Sequence, residues 1–396
     1  MIQISPETQL FIREHSSDDV RTLALQAKKY PDINMPTAIT QIAGRQVAAE
    51  KIPSWREIEE IWYPKHLSLE QCSSEITARY KARLFQGDSL TDLTGGFGID
   101  CSFLATGFKS ATYVERQEEL CEIAAHNFPI LNLNHINVRN EDGVAYLQTM
   151  SPVDCIFLDP ARRNEHGGKT VAISDCEPNV AELEALLLSK ANRVMIKLSP
   201  MLDLSLALKE LKHTQEIHIL SVNNECKELL ILLRQTSPAE IAIHCVNLLT
   251  KGTQEEQHLV FTREQEQRSQ CTYTDSLGNY LYEPNASLLK AGAFRSIAAA
   301  YPVRKLHPNS HLYTSDSFIE NFPGRIFRIV NQCSFNKKEV KENLADLKKA
   351  NVTVRNFPAT VAELRKRIHL AEGGDTYLFA STLNNGQKVI IRCEKV

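Results

Sequence analysis

The sequence predicts an α/β protein: a Rossmann-like open sheet of five parallel strands closed by an antiparallel hairpin, a helical region before it and a small α+β module after it. Three observations carry this. From residue 88 to about 212, apolar runs of strand length alternate with helix-like stretches, the mark of a parallel sheet with helices on both faces. A glycine-rich turn, Asp92-Leu-Thr-Gly-Gly-Phe-Gly-Ile-Asp100, joins the first strand to the first helix. The runs 216–222 and 228–234 are then linked through Asn223-Asn224 and a few neighbours. That is too short for a crossover helix, so they must pair antiparallel.

Taken in order, residues 1–85 read as helical. Stretches 20–30 and 38–51 have helical apolar spacing and are separated by Pro31 and Pro36. A short helix is expected over 55–62, stopped by Pro64, and a longer one over 68–85 with Ser68 as N-cap. Arg79, Lys81 and Arg83 on that helix read as an ordinary amphipathic face. The strands follow at 88–92, 111–115, 136–139, 153–158 and 194–198, with helices at 99–108, 117–128, 144–150, 180–190 and 204–212. Residues 238–324 are expected to hold a β-pair (241–249 with 258–262) and a helix opening at Glu283-Pro-Asn-Ala and running toward Ala300. His307 and His311 stand four apart, but Pro308 between them argues against a helical metal pair. The tail reads β-α-β-α-β-β, closing in a hairpin about Asn384-Asn385-Gly386. The expected domains are 1–85, 86–236, 237–324 and 325–396.

Composition bounds the setting. The 396 residues are 43% hydrophobic and 23% charged, as in soluble globular proteins, and no apolar run approaches the ~18 residues of a membrane span. A secretory signal is not visible, and the ten cysteines never fall as C-x-x-C, so a cytoplasmic protein without disulfide framework or metal is expected. Residues 325–396 carry 14 Lys/Arg against 7 Asp/Glu, whereas the rest carries 31 against 41. A basic module on an acidic body suggests a polyanionic partner.

The candidate site grows from the glycine turn. A dinucleotide fingerprint wants a third glycine and its acid about 20 residues later. Here Cys101 replaces the third glycine and Asp92 stands before the turn, where it would repel a pyrophosphate. A carboxylate there suits a cationic ligand, such as the amino-acid end of S-adenosylmethionine. Glu115 closes the second strand where an acid can accept two ribose hydroxyls, with Arg116 beside it, and Asp142 or its neighbour Glu141 follows the third. Cofactor contacts are therefore expected from Asp92, Thr94, Gly96, Gly98, Asp100, Glu115, Arg116 and Asp142. The run Asp159-Pro160-Ala161-Arg162-Arg163 lies at the fourth strand's carboxyl end, where open α/β sheets bind ligands. Asp159 and Pro160 are the catalytic candidates. Arg162 and Arg163 could clamp a phosphate, and Lys197 closes the fifth strand near Ser199. Cys226 is the one alternative thiol for covalent chemistry, and core packing is the favoured reading for it.

The pattern Asp92-x-x-x-Gly96-x-Gly98 resembles motif I of the class I methyltransferases, and the Asp-Pro loop resembles the acceptor loop of amino- and base-methyltransferases. With Asn224-Glu-Cys-Lys227, Glu283-Pro-Asn285 and the ending Val354-Arg-Asn-Phe-Pro358 to Gly373-Gly-Asp-Thr-Tyr-Leu-Phe379, residues 70–396 resemble the bacterial class I SAM-dependent methyltransferases with a C-terminal THUMP-like domain. The resemblance implies S-adenosylmethionine as cofactor and structured RNA (tRNA or rRNA) as substrate, with Arg365 and Arg367 among the RNA contacts. It implies direct transfer without a covalent cysteine, since Ser199 stands where pyrimidine-C5 enzymes place theirs. Transfer to a protein or small molecule, or RNA binding without catalysis, are the alternatives.

Overall fold

The computed structural model describes residues 4–162, 172–236 and 238–396. Its N-terminal helices are α1 (Pro6–Glu14), α2 (Val20–Leu25), α3 (Met35–Lys51), α4 (Pro53–Arg56), α5 (His66–Gln71) and α6 (Glu75–Leu84). The first three start on side-chain caps from Ser5, Asp19 and Asn34. Two expectations fail here for one reason. The helix expected over 55–62 stops at Arg56, because the backbone of Trp62 and Tyr63 is bonded by two side-chain amides instead of a helical turn. Asn127 bonds the backbone N–H and C=O of Trp62, and Gln41 does the same for Tyr63. The helix expected over 68–85 is broken between α5 and α6, and Ser68 lies inside α5 instead of capping it. The break turns the Ser73 hydroxyl onto Asp100, a partner no local pattern could announce.

Next come β1 (Gly87–Asp92), α7 (Ile99–Ala105), β2 (Phe108–Glu115), α8 (Glu118–Ile130), β3 (Ile136–Asn140), α9 (Gly143–Thr149) and β4 (Val153–Leu158). A two-stranded ribbon, β5 (Ala161–Arg162) with β6 (Cys176–Glu177), precedes α10 (Val180–Lys190), β7 (Ala191–Leu198), α11 (Leu204–Glu210), β8 (Thr214–Val222) and β9 (Glu225–Arg234). β3, β2, β1, β4 and β7 are parallel neighbours in that order, and Asn223-Asn224 joins β8 to β9 with positive φ at both asparagines. This is the predicted five-stranded sheet with its hairpin. Two strands then lengthen it. β10 (Ala242–Leu248) pairs parallel with β8, and β11 (Glu256–Thr262) antiparallel with β10, giving the order β11-β10-β8-β9-β7-β4-β1-β2-β3. The expected β-pair thus forms, as an extension of the main sheet.

The chain divides into two compact units, 1–215 with 230–238, and 216–229 with 239–396. In the first, the glycine turn is a packing centre. Phe97 and Ile99 are buried among Ile52, Trp55, Tyr63 and Ala78, with Trp55 edge-on to Phe97 at 5.2 Å. Burial of such aromatics is worth about 2–3 kcal/mol each, so the N-terminal helices hold the turn.

The second unit also contains α12 (Arg263–Arg268), β12 (Tyr280–Pro284), α13 (Ala286–Ala291), α14 (Phe294–Ala300), β13 (Arg304–Lys305), β14 (Tyr313–Ser315), β15 (Gly324–Ser334), α15 (Lys337–Leu344), β16 (Asn351–Val354), α16 (Val361–Ile368), β17 (Thr376–Thr382) and β18 (Lys388–Lys395). The predicted tail is present, and its sheet runs on as β13-β14-β12-β15-β18-β17-β16. The single helix expected from Glu283 toward Ala300 is instead a strand end and two helices: Asn285 caps α13, and Gly292 at φ +73° ends it. His307 and His311 form no helical pair; His311 stacks on Phe294 at 3.6 Å. The motif residues Asn224 and Asn285 meet in one polar network, in which Asn247 accepts from Asn224 N–H and donates to Gln257, which also accepts from Asn285.

Candidate functional site

The site begins where β1 ends. Gly98 at φ +87° starts α7 and Gly96 at φ +53° precedes it, both in the left-handed region that costs L side chains about 1 kcal/mol. The nearest atom to a Cβ built at Gly96 is Thr94 O at 3.8 Å, so space lies open above that residue. Below it, the buried Tyr113 hydroxyl donates to Gly96 O at 2.5 Å.

Asp92 is 1% exposed. Its Oδ1 accepts from Thr94 N–H at 2.9 Å, while Oδ2 has no hydrogen-bond partner among the described residues. Burial, with the negative charges of Asp100, Asp159 and Glu115 adding to it, pushes this carboxyl well above the usual range. A buried acceptor left open costs about 1–3 kcal/mol. A cationic donor would satisfy the oxygen and offset the repulsion together. Glu115, also buried, accepts from Gly96 N–H and from Gln117 N–H, each at 2.9 Å. Each oxygen keeps a second lone pair, enough for hydroxyl donors.

A chain of charges, buried except for the partly exposed Asp159, completes the site. Thr94 Oγ1 accepts from Asp159 N–H at 2.6 Å, tying the loop after β4 to the glycine turn. Lys197 at the end of β7 reaches Asp159 Oδ2 at 2.5 Å and Asp100 Oδ2 at 3.5 Å. Asp100 also pairs with Lys81 at 2.9 Å and accepts from Ser73 Oγ at 2.7 Å. Burial alone would raise its pKa, but the Lys81 and Lys197 ammonium groups overcome that and hold it below the ordinary range. Lys81 is 0% exposed, and its Nζ donates to Ser73 Oγ at 2.9 Å. Sequence reasoning missed Lys81 and Ser73. For Lys81 alone the helical period gives a signal of burial: it falls three residues after Ala78 and four after Thr77, on the buried stripe of α6.

Asp92, Thr94, Asp100, Glu115, Asp159 and Lys197 are therefore brought together, with Pro160 buried beside them. Asp142 stands at the N-cap of α9, where Oδ1 accepts from Val144 and Ala145 N–H groups at 3.0 Å. Arg116 points outward to Glu177 at 3.3 Å. The Arg162 backbone pairs in the β5–β6 ribbon, and Arg163 lies outside the described residues. In the second unit, Arg367 stacks over Phe335 at 4.1 Å, and the half-buried Arg365 faces Glu372 at 3.6 Å. Arg355 bonds the buried Glu283 at 3.0 Å, which Arg325 also clamps at 2.8 Å, so these two bases of the tail are turned inward. Burial pushes the Cys226 thiol up to about 11.

Two family models match the second unit: a ferredoxin-like domain over residues 280–323 and a THUMP domain-like model over 324–395. No curated protein matches the chain. Among solved structures, a candidate methyltransferase from Porphyromonas gingivalis W83 is 34% identical, with a TM-score of 0.87 and 100% of each chain covered. That identity over the full length decides the matter. The chain belongs to the bacterial class I methyltransferases with a C-terminal THUMP-like domain. An rRNA methylase from Streptococcus thermophilus is 14% identical at a TM-score of 0.32, covering 40% of this chain and 94% of its own. That likeness is too slight to bear on substrate.

Proposed function

We propose that this methyltransferase uses S-adenosylmethionine to methylate a base in structured RNA by direct transfer. The open Oδ2 of Asp92, buried beside a glycine with free space above it, carries the reading. The residues fit the cofactor: Asp92 would take its ammonium group, Glu115 its ribose hydroxyls, and the Gly96–Gly98 turn its close approach. Bound there, it supplies a methyl group on a sulfonium sulfur. The chain's own part is to position the acceptor, which in bound reactants is worth several kcal/mol. Asp159, held by Lys197 and by Thr94, is a fixed acceptor for an amino N–H of the base and needs no strong basicity. Thiol attack plays no part in this reading: burial pushes the Cys226 thiol up, away from the thiolate that such attack uses. The basic residues of 325–396 and the THUMP domain-like match support RNA as the substrate. We assign catalysis to 86–236 and RNA docking to 325–396.

Calorimetric titration with S-adenosylhomocysteine tests the cofactor. Micromolar binding is expected, weakened about 10- to 100-fold in Asp92→Ala, as for loss of a charge-assisted hydrogen bond. Equal affinity in both proteins, or none in the wild type, would sink the reading. Tritiated methyl transfer into RNA pools, with protein extracts as control, then tests the substrate.

A further inference from the structure

We propose that the outer strands of the main sheet hold a divalent transition-metal ion, ligated by Glu216 Oε2, His218 Nε2 and His244 Nε2, at a site the methyl transfer does not use. The register builds it. β8 and β10 run parallel with His218 opposite His244, and Glu216, two residues before His218, shares its face. The two imidazoles stack with centroids 4.3 Å apart and planes 11° from parallel. Glu216 Oε2 lies 3.3 Å from His218 Nε2 and 3.8 Å from His244 Nε2, and the three donor atoms fall within 4.8 Å of one another. A tetrahedral ion with bonds of about 2.0–2.1 Å wants its donors roughly 3.4 Å apart and in the plane of each ring, so ligation turns the two stacked imidazoles about their Cβ–Cγ bonds until their Nε2 atoms converge.

A second observation points the same way. On β11, His258 reaches His244, with His258 Nε2 3.2 Å from His244 Nδ1. Metal-bound histidines have this kind of partner on the nitrogen that faces away from the ion; it fixes the tautomer and orients the ring. In the tautomer that donates Nδ1–H to His258, the one a metal ligand needs, the Nε2 lone pair of His244 faces the Glu216 carboxylate. Two acceptors then face each other, and a cation between them resolves the conflict. The cluster opens outward from His218, 2% exposed, through His244 at 20% to Glu216 at 33%, which leaves a fourth position for water. Two imidazoles and one carboxylate suit Zn2+ and its first-row neighbours better than Mg2+ or Ca2+. Such an ion would cross-link β8 to β10.

The test uses the full chain, free of any affinity tag and dialysed against EDTA. Titration with ZnCl2 should give one ion per chain with a micromolar or tighter Kd and a rise in Tm, and Co2+ should give the visible absorption of a four-coordinate site. Glu216→Gln and His244→Asn should each weaken binding at least 100-fold. His258→Gln should weaken it about 10- to 100-fold, as loss of an orienting partner does. Far-UV circular dichroism confirms that each variant is folded. Should His244→Asn unfold, the more exposed Glu216→Gln decides alone. Absence of one-to-one binding, or undiminished binding in folded Glu216→Gln, overturns the proposal.

Discussion

Asp92 and Asp159 do different work, and substitutions should separate them. The pKa of Asp92 is raised by burial first and by neighbouring carboxylates second. Its folded state therefore binds a proton more tightly than its unfolded state, and stability falls as pH rises from the ordinary carboxylate range toward the folded value. Asp92→Asn keeps the shape and removes the charge. Its Tm should exceed wild type at pH 8, with the gap closing toward pH 4, while S-adenosylhomocysteine affinity drops; thermal scans across pH check this. A Tm below wild type at pH 8 would show that the charge is already neutralised. Asp159 is partly exposed and held from two sides, by Lys197 and Thr94. Asp159→Ala should abolish methyl transfer and leave S-adenosylhomocysteine binding nearly intact. Wild-type turnover in that variant would remove it from the site.

At the scale of elements, the break between α5 and α6 and the buried Lys81 belong to one device. The interruption delivers Ser73, the helix after it delivers Lys81, and both meet Asp100 on α7. Removing one partner of a buried ion pair leaves an uncompensated charge, at a cost of about 3–5 kcal/mol. Lys81→Met should therefore lower the unfolding free energy measured by urea titration by about 3–5 kcal/mol, far more than Arg79→Met on the exposed face of the same helix. Equal effects would mean that Lys197 alone neutralises Asp100. The Asp100 share of stability has the opposite pH sign to that of Asp92. It is present above the ordinary carboxylate pKa and lost as pH falls through the lowered folded value.

For the whole molecule, charge is the argument. The basic excess of 325–396 is partly spent inside the fold, because Arg325 and Arg355 neutralise the buried Glu283. Lys366 and Arg367 are exposed on α16 and remain for a polyanion. Lys366→Glu with Arg367→Glu should weaken RNA binding and flatten its dependence on salt concentration, since each phosphate contact contributes nearly one to that slope. The more buried Arg365 is avoided because its loss would confound stability with binding. An unchanged slope in filter binding would point to another substrate class.

The strand–glycine turn–helix unit, the hairpin at Asn223-Asn224 and the β-α-β-α-β-β tail were legible because each rests on local rules: residue period, turn chemistry and loop length. So was the candidate position of Asp92, which follows from its place at a strand end. The ends of the helices over 55–62 and 68–85 were not, because Gln41, Asn127 and Asp100 compete for those segments from far along the chain. Nor was the merging of β10 and β11 into the main sheet. Lys81, Ser73 and the histidines 218, 244 and 258 gain their meaning only in three dimensions. Sequence spacing reports what one segment can do for itself, whereas a buried charge or a shared ligand set depends on which segments the fold makes neighbours.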